Sequence, residues 1–88
     1  MPIEYMTNTN TKAALQAKEH YLRDKARRRN LRITKSRTTG YYWVIDFNNM
    51  GLEESPDIER INAYLDRFLT VREMKAAGYG EFLAIKRK

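Results

Sequence analysis

Cationic side chains dominate the residues of this 88-residue chain that could do chemistry. Between Lys12 and Arg37, ten basic residues stand against two acids, Glu19 and Asp24, a net +8 inside a chain whose total charge is +6. Arg27, Arg28 and Arg29 are consecutive; Lys18 and Lys25 precede them, and Arg32, Lys35 and Arg37 follow. Such a run can neutralise an evenly spaced row of phosphates, releasing counterions and giving an affinity that falls with salt. These eight residues are the candidate nucleic-acid contacts. Thr38 and Thr39 beside Arg37 are placed to reach backbone phosphates or a groove edge, and Tyr42, sharing a strand face with Arg32 and Thr34, could stack on an exposed base. The plain alternative is a solvated helix and a polar turn.

Other chemistry is thinly supplied. Cysteine is absent, which excludes a disulfide framework and thiolate metal sites, and the single His20 cannot provide the imidazoles that most zinc or iron sites need. Glu53, Glu54, Asp57 and Glu59 sit where they complement the positive end of a helix, and with Asp46 their spacing matches no metal motif. No glycine-rich phosphate loop is present. The expectation is a protein without catalysis, cofactor or metal, whose partners are DNA or RNA. From Asp46 to Asp66 six acids face Arg60 alone, a net −5. That acidic stretch suits a protein partner, the basic helix of a second copy in a homodimer, or the basic helix of its own chain.

The elements that must position these residues follow from periodicity. Residues 1–10, polar after Pro2, read as a flexible N-terminal arm. A long helix is expected from Lys12 to about Arg29, free of Gly and Pro, with Asn10 or Thr11 as its cap and Leu15, Leu22 and Ala26 as a narrow apolar stripe. Asn30 closes it. Leu31 to Thr34 and Tyr41 to Phe47 then alternate as two strands of an antiparallel hairpin around Ser36–Gly40, with Gly40 supplying a positive φ. Alternation places Tyr41, Trp43, Ile45 and Phe47 on the buried face, and Tyr42, Val44 and Asp46 outside. Asn48 to Gly51 reads as a turn.

Ser55 and Pro56 signal a helix start, and Ile58, Ile61, Leu65 and Phe68 form the clearest amphipathic stripe in the chain, to be packed on the hairpin. Thr70 with Glu73 fits a capping box opening a short helix, Val71 to Ala77, closed by Gly78. Phe82 to Ile85 reads as a third strand or a last helical turn. The fold class is thus α+β, one domain over residues 11–85 with a basic tail at 86–88. No apolar run approaches the roughly 18 residues of a membrane span and no signal peptide is evident, so a soluble, cytoplasmic protein is expected.

Leu31, Ile33, Gly40, Tyr41, Tyr42, Asp46, Gly51, Leu52 and the helix after them resemble the N-terminal arm-binding domain of lambda-type integrases. The resemblance implies a small sheet and a helix that dock on DNA; the segment Asn48 to Ser55, short and acidic, stands where that family carries a third strand. A second pattern, Arg27 through Lys35, Ser36 and Arg37 to Tyr42, Ile45 and Asp46, then Ile58, Glu59, Tyr64 and Leu65, is similar to short uncharacterised phage and prophage proteins. Both imply a mobile-element setting. The function expected is nucleic-acid binding through the first helix, the hairpin tip and the C-terminal tail. The alternative is a phage-encoded, anti-CRISPR-like inhibitor of a host defence protein or its nucleoprotein complex.

Overall fold

The computed structural model describes residues 3–80 and 82–88, with the side chains of the first helix described from Lys12 onward. Its elements run α1 Ile3–Arg27, β1 Arg32–Lys35, β2 Tyr42–Ile45, β3 Gly51–Ser55, α2 Ile58–Leu65 and α3 Val71–Ala76. The strands form one antiparallel sheet in the order β1-β2-β3, giving the α+β class.

α1 begins at Ile3, so the stretch expected as an arm carries helical backbone from that residue, and Asn10 and Thr11 are interior rather than caps. Met1 and Pro2 lie outside the described residues. Nothing between Ile3 and Arg27 can break a helix: threonine and asparagine each lower propensity by only a few tenths of a kcal/mol, whereas Gly or Pro would be needed to stop it. The C-terminal end is read correctly. Asn30 adopts φ 60°, and the amide of Leu31 returns to the Ala26 carbonyl at 2.9 Å.

β1 and β2 pair Ile33 with Val44 and Thr34 with Trp43, and Gly40 at φ 75° closes the turn. β3 corrects the expectation of a turn followed by an acidic lead-in. Its residues pair Glu54 with Trp43 and Ser55 with Tyr42. As an edge strand it can carry Glu53 and Glu54, because carboxylates at an edge keep solvent and discourage pairing with another chain. The turn before it is built by Asp46, whose Oδ1 accepts from the amides of Asn48 and Met50 at 2.9 Å each.

The strand faces are the reverse of those expected. Tyr42 and Val44 are buried, whereas Tyr41, Trp43 and Phe47 are exposed and Ile45 is half-buried. Residues opposite one another in a sheet share a face, so turning Trp43 inward would carry Thr34 and Glu54 with it and bury a carboxylate without a partner. Turning Val44 inward carries Ile33 from β1 and Glu53 from β3, the latter half-buried on the edge strand. Each choice therefore brings one glutamate of β3 with it, and the β1 partners decide: Ile33 opposite Val44, against Thr34 opposite Trp43 and Arg32 opposite Ile45.

α2 is capped by Asp57, which accepts from the Glu59 amide at 3.0 Å, and Ser55 instead supports the approach by accepting from the Asp57 amide. Its stripe of Ile61 and Leu65, continued by Phe68 beyond the last turn, is buried as expected. The Thr70–Glu73 capping box forms, and Gly78 follows α3 at φ 85°. Phe82 to Ile85 is neither strand nor helix: a single bridge joins Phe68 to Lys86, and Leu69 donates to the Ile85 carbonyl at 2.8 Å. The core gathers Leu22 and Ala26 of α1, Leu31, Tyr42 and Val44 of the hairpin region, and Ile61, Tyr64, Leu65 and Phe68. Both longer helices therefore lie on one face of the sheet. No helix among the described residues is long and apolar enough to cross a membrane.

Candidate nucleic-acid interface

The eight candidate cations separate into those held by the protein's own groups and those left to solvent. Lys25 is withdrawn from the surface. Its side chain is 9% exposed, and its ammonium donates to the Asn62 side-chain oxygen at 2.7 Å and lies 2.6 Å from Asp66 Oδ1. The narrow apolar stripe explains this, because a lysine beside Leu22 and Ala26 must lay its stem along the α1–α2 contact and lift its charge to the rim. Arg29 is equally covered: Nη1 donates to the Lys25 carbonyl at 2.9 Å, while Nε is buried with no hydrogen-bond partner.

Lys35 belongs to a second internal cluster. Its ammonium is 3.2 Å from Glu19 Oε2, which also accepts from the Tyr42 hydroxyl at 2.6 Å, and it lies 5.2 Å from the Tyr42 ring centre. The Tyr42 hydrogen bond, aided by Lys35, holds the Glu19 carboxyl below its usual range. Burial, reinforced by Glu19, raises the Tyr42 phenol, and the bond from Glu19 raises Lys35. Tyr42 is thus a buried clamp between α1 and the sheet, and the expectation that it stacks on a base is overturned by that burial.

Five candidates sit at the surface with lighter engagement or none. Lys18 pairs with Glu59 across α1 and α2 at 3.2 Å, both exposed, and Arg27 lies 3.5 Å from Asp24 on its own helix. Exposed pairs of this kind contribute about 0–1 kcal/mol and yield readily to a competing anion. Arg28, at the end of α1, and Arg37, at the hairpin tip, are exposed with no ionic or hydrogen-bonded partner for the side chain among the described residues. Arg32 donates to the side-chain oxygen of Asn49, a neutral acceptor that leaves its charge uncompensated.

Sequence reasoning missed the sheet's outer face. With α1 and α2 on the opposite side, the register aligns Thr34, Trp43 and Glu54 in one row and Arg32, Ile45 and Gly51 in the next. Trp43 stands at the centre of this row, 38% exposed, its ring lying over Gly51 so closely that a β-carbon there would fall 3.1 Å from it. Thr34, Ser36, Trp43, Ile45 and Asn49 border a shallow hollow of about 390 Å³. The signal that could have located Trp43 outside is its β1 row partner Thr34, set against Ile33 opposite Val44, and it is usable only once the hairpin register is known.

Among the described residues no group of three His, Cys, Asp or Glu converges on a point that could hold a metal ion, and His20 is exposed on α1. No family model matches the chain, and no curated protein or solved structure matches it.

Proposed function

We propose that the protein is a small basic nucleic-acid-binding protein of a phage or other mobile element, acting without catalysis. The observation that carries this reading is the sheet face turned away from the helices, on which Arg32, Thr34 and Trp43 stand beside the edge-strand Glu54, with the unpaired Arg37 at the hairpin tip. Strands lie about 4.8 Å apart, so a hairpin with its side chains suits the roughly 12 Å major groove of B-form DNA, which accepts a two-stranded ribbon. Arg28, Arg37 and the weakly paired Arg27 and Lys18 would then supply phosphate contacts that fix orientation, while Arg32, Thr34 and Trp43 reach base edges.

The test is binding of a short duplex across a salt series. The wild-type protein is expected to show a slope of log affinity against log salt of several, each neutralised phosphate contributing about 0.9. Arg28→Glu with Arg37→Glu should weaken binding more than about tenfold and flatten that slope, whereas Arg72→Glu on α3 should leave it unchanged. Equal losses from both would reduce the effect to net charge alone.

A second reading, an inhibitor of a host defence protein or its nucleoprotein complex, is favoured by a different observation. Phe47, Phe82 and Leu83 form an exposed apolar cluster away from the sheet's outer row, better suited to protein than to phosphate.

A further inference from the structure

We propose that the groove beside the β2–β3 turn docks an acidic amphipathic helix of a partner protein; this deepens the protein-contact reading and stands apart from nucleic-acid binding at the sheet. Phe47 follows β2 and Phe82 belongs to the C-terminal segment, yet their rings stack with centroids 4.8 Å apart. Both remain largely in solvent, 59% and 61% exposed. Single exposed phenylalanines are ordinary, but a stacked pair this exposed makes one contiguous aromatic surface. With Leu52 and Leu83 it walls a groove of about 550 Å³ whose floor is Tyr64 and Phe68. Contiguous apolar patches of several hundred Å² on a monomer mark interaction sites.

The groove is fixed before any partner arrives. Asn30 donates its side-chain amide to the Leu83 carbonyl at 2.9 Å, Leu69 bonds Ile85, and the Arg87 amide bonds the Arg67 carbonyl at 2.6 Å. Arg87 further clasps Glu73 with two bonds of 2.8 Å. A wall held at both ends loses little freedom on binding.

Charge around the groove selects the occupant. Lys86 lies 5.9 Å from the centres of Tyr64 and Phe68, and Arg67 lies 5.8 Å from that of Tyr64. Asp46 is the one carboxylate among the described residues lining the groove, its Oδ1 engaged by two turn amides, and Glu53 of the edge strand acts on Tyr64 from outside that lining. An apolar floor with a cationic rim matches a helix whose apolar residues, spaced three and four apart, are flanked by Glu and Asp. A nucleobase fits less well, because Phe47 and Phe82 each turn one ring face toward the other.

A displayed library of helical peptides about 16 residues long, with a fixed apolar stripe and Glu or Lys randomised elsewhere, tests this against the full chain. Selected peptides should be rich in Glu, and their affinity should fall about tenfold or more in Phe47→Ala/Phe82→Ala. Lys86→Glu, which leaves the apolar floor intact, should weaken the same peptides and shift selection away from acid. Enrichment of basic or neutral peptides, or no enrichment beyond the double alanine variant, overturns the proposal. So does a dimer in sedimentation that the double variant abolishes, since a second copy is then the occupant. Duplex binding run on Phe47→Ala/Phe82→Ala should stay unchanged, and its loss would assign the face to nucleic acid instead.

Discussion

Replacing Lys25 with alanine should destabilise the fold rather than merely discharge the surface. The truncation removes about three methylenes held against Leu22 and the α1–α2 contact, worth about 2.4 kcal/mol at about 0.8 each. Its ion pair with Asp66 adds no more than about 1 kcal/mol, because Asp66 is 61% exposed while Lys25 is 9% exposed. Loss of the charged donor to Asn62 costs about 1–2 kcal/mol. Against these stand the relief of a partly desolvated ammonium and up to about 2 kcal/mol of recovered rotamer freedom. The net expectation is a loss of about 2–3 kcal/mol, a fall in Tm of about 10–20 °C for a domain of this size. Lys25→Met, which keeps the stem, should lose about 1 kcal/mol. Urea unfolding followed by far-UV circular dichroism at unchanged m-value measures both. The reasoning fails if Lys25→Ala is as stable as the parent yet binds nucleic acid more weakly, for Lys25 would then be a surface contact.

Three further outcomes test the rest of the assignment. Val44→Asp should prevent folding, since an unpaired carboxylate buried there costs several kcal/mol, while the bulkier loss in Trp43→Thr should leave the domain folded and weaken duplex binding; the opposite pattern would restore the inverted sheet. Glu73, held by Arg87 and then by the Thr70 amide, titrates at about 2 against an ordinary 4.5, so its contribution is present above pH 4.5 and lost as pH falls toward 2. Arg87→Met should flatten the acid limb of Tm against pH in that window, and an unaltered limb refutes the pairing. Tyr42→Phe removes the bond that does most to hold the Glu19 carboxyl down, so carboxyl titration by NMR should find Glu19 closer to its usual range and denaturation a loss of about 1–2 kcal/mol; an unmoved Glu19 would place its control elsewhere.

What could be read from the residues was local. The Thr70–Glu73 box, the left-handed Asn30 and Gly40, and the stripe of Ile58, Ile61 and Leu65 each depend on groups within one or two turns of one another, so type and spacing suffice. The sheet face was not readable in this way. Tyr41 to Phe47 is apolar on both sides of the strand, β3 sets a glutamate opposite each side, and the choice rests on the register with β1, which places Ile33 opposite Val44 and Thr34 opposite Trp43. The same limit governs the cations. A lysine at position 25 and one at position 12 look alike in a charge count; only the arrival of α2 turns the first into a clamp on Asn62 and Asp66.

The charge excess of the opening segment therefore has two physical origins that composition merges. Lys18 and Lys25 meet Glu59 and Asp66, so much of the contrast between the +8 and −5 segments is consumed in joining α1 to α2 within one chain. Lys35 meets Glu19 and joins α1 to the sheet. A purely structural account would predict that each remaining arginine also has a carboxylate, because an uncompensated cation repels its neighbours and adds nothing to the fold. Arg28 and Arg37 have none, although Arg28 closely follows Asp24, four residues earlier on the same helix. They stand at the end of α1 and at the hairpin tip, on short connections between elements, where reach toward an external anion is greatest and packing constrains side chains least. Stability accounts for the paired cations; Arg23, Arg29 and Arg32 also lack a carboxylate within ion-pair distance among the described residues, and under the proposed function Arg28 and Arg37 are the two that meet an external polyanion.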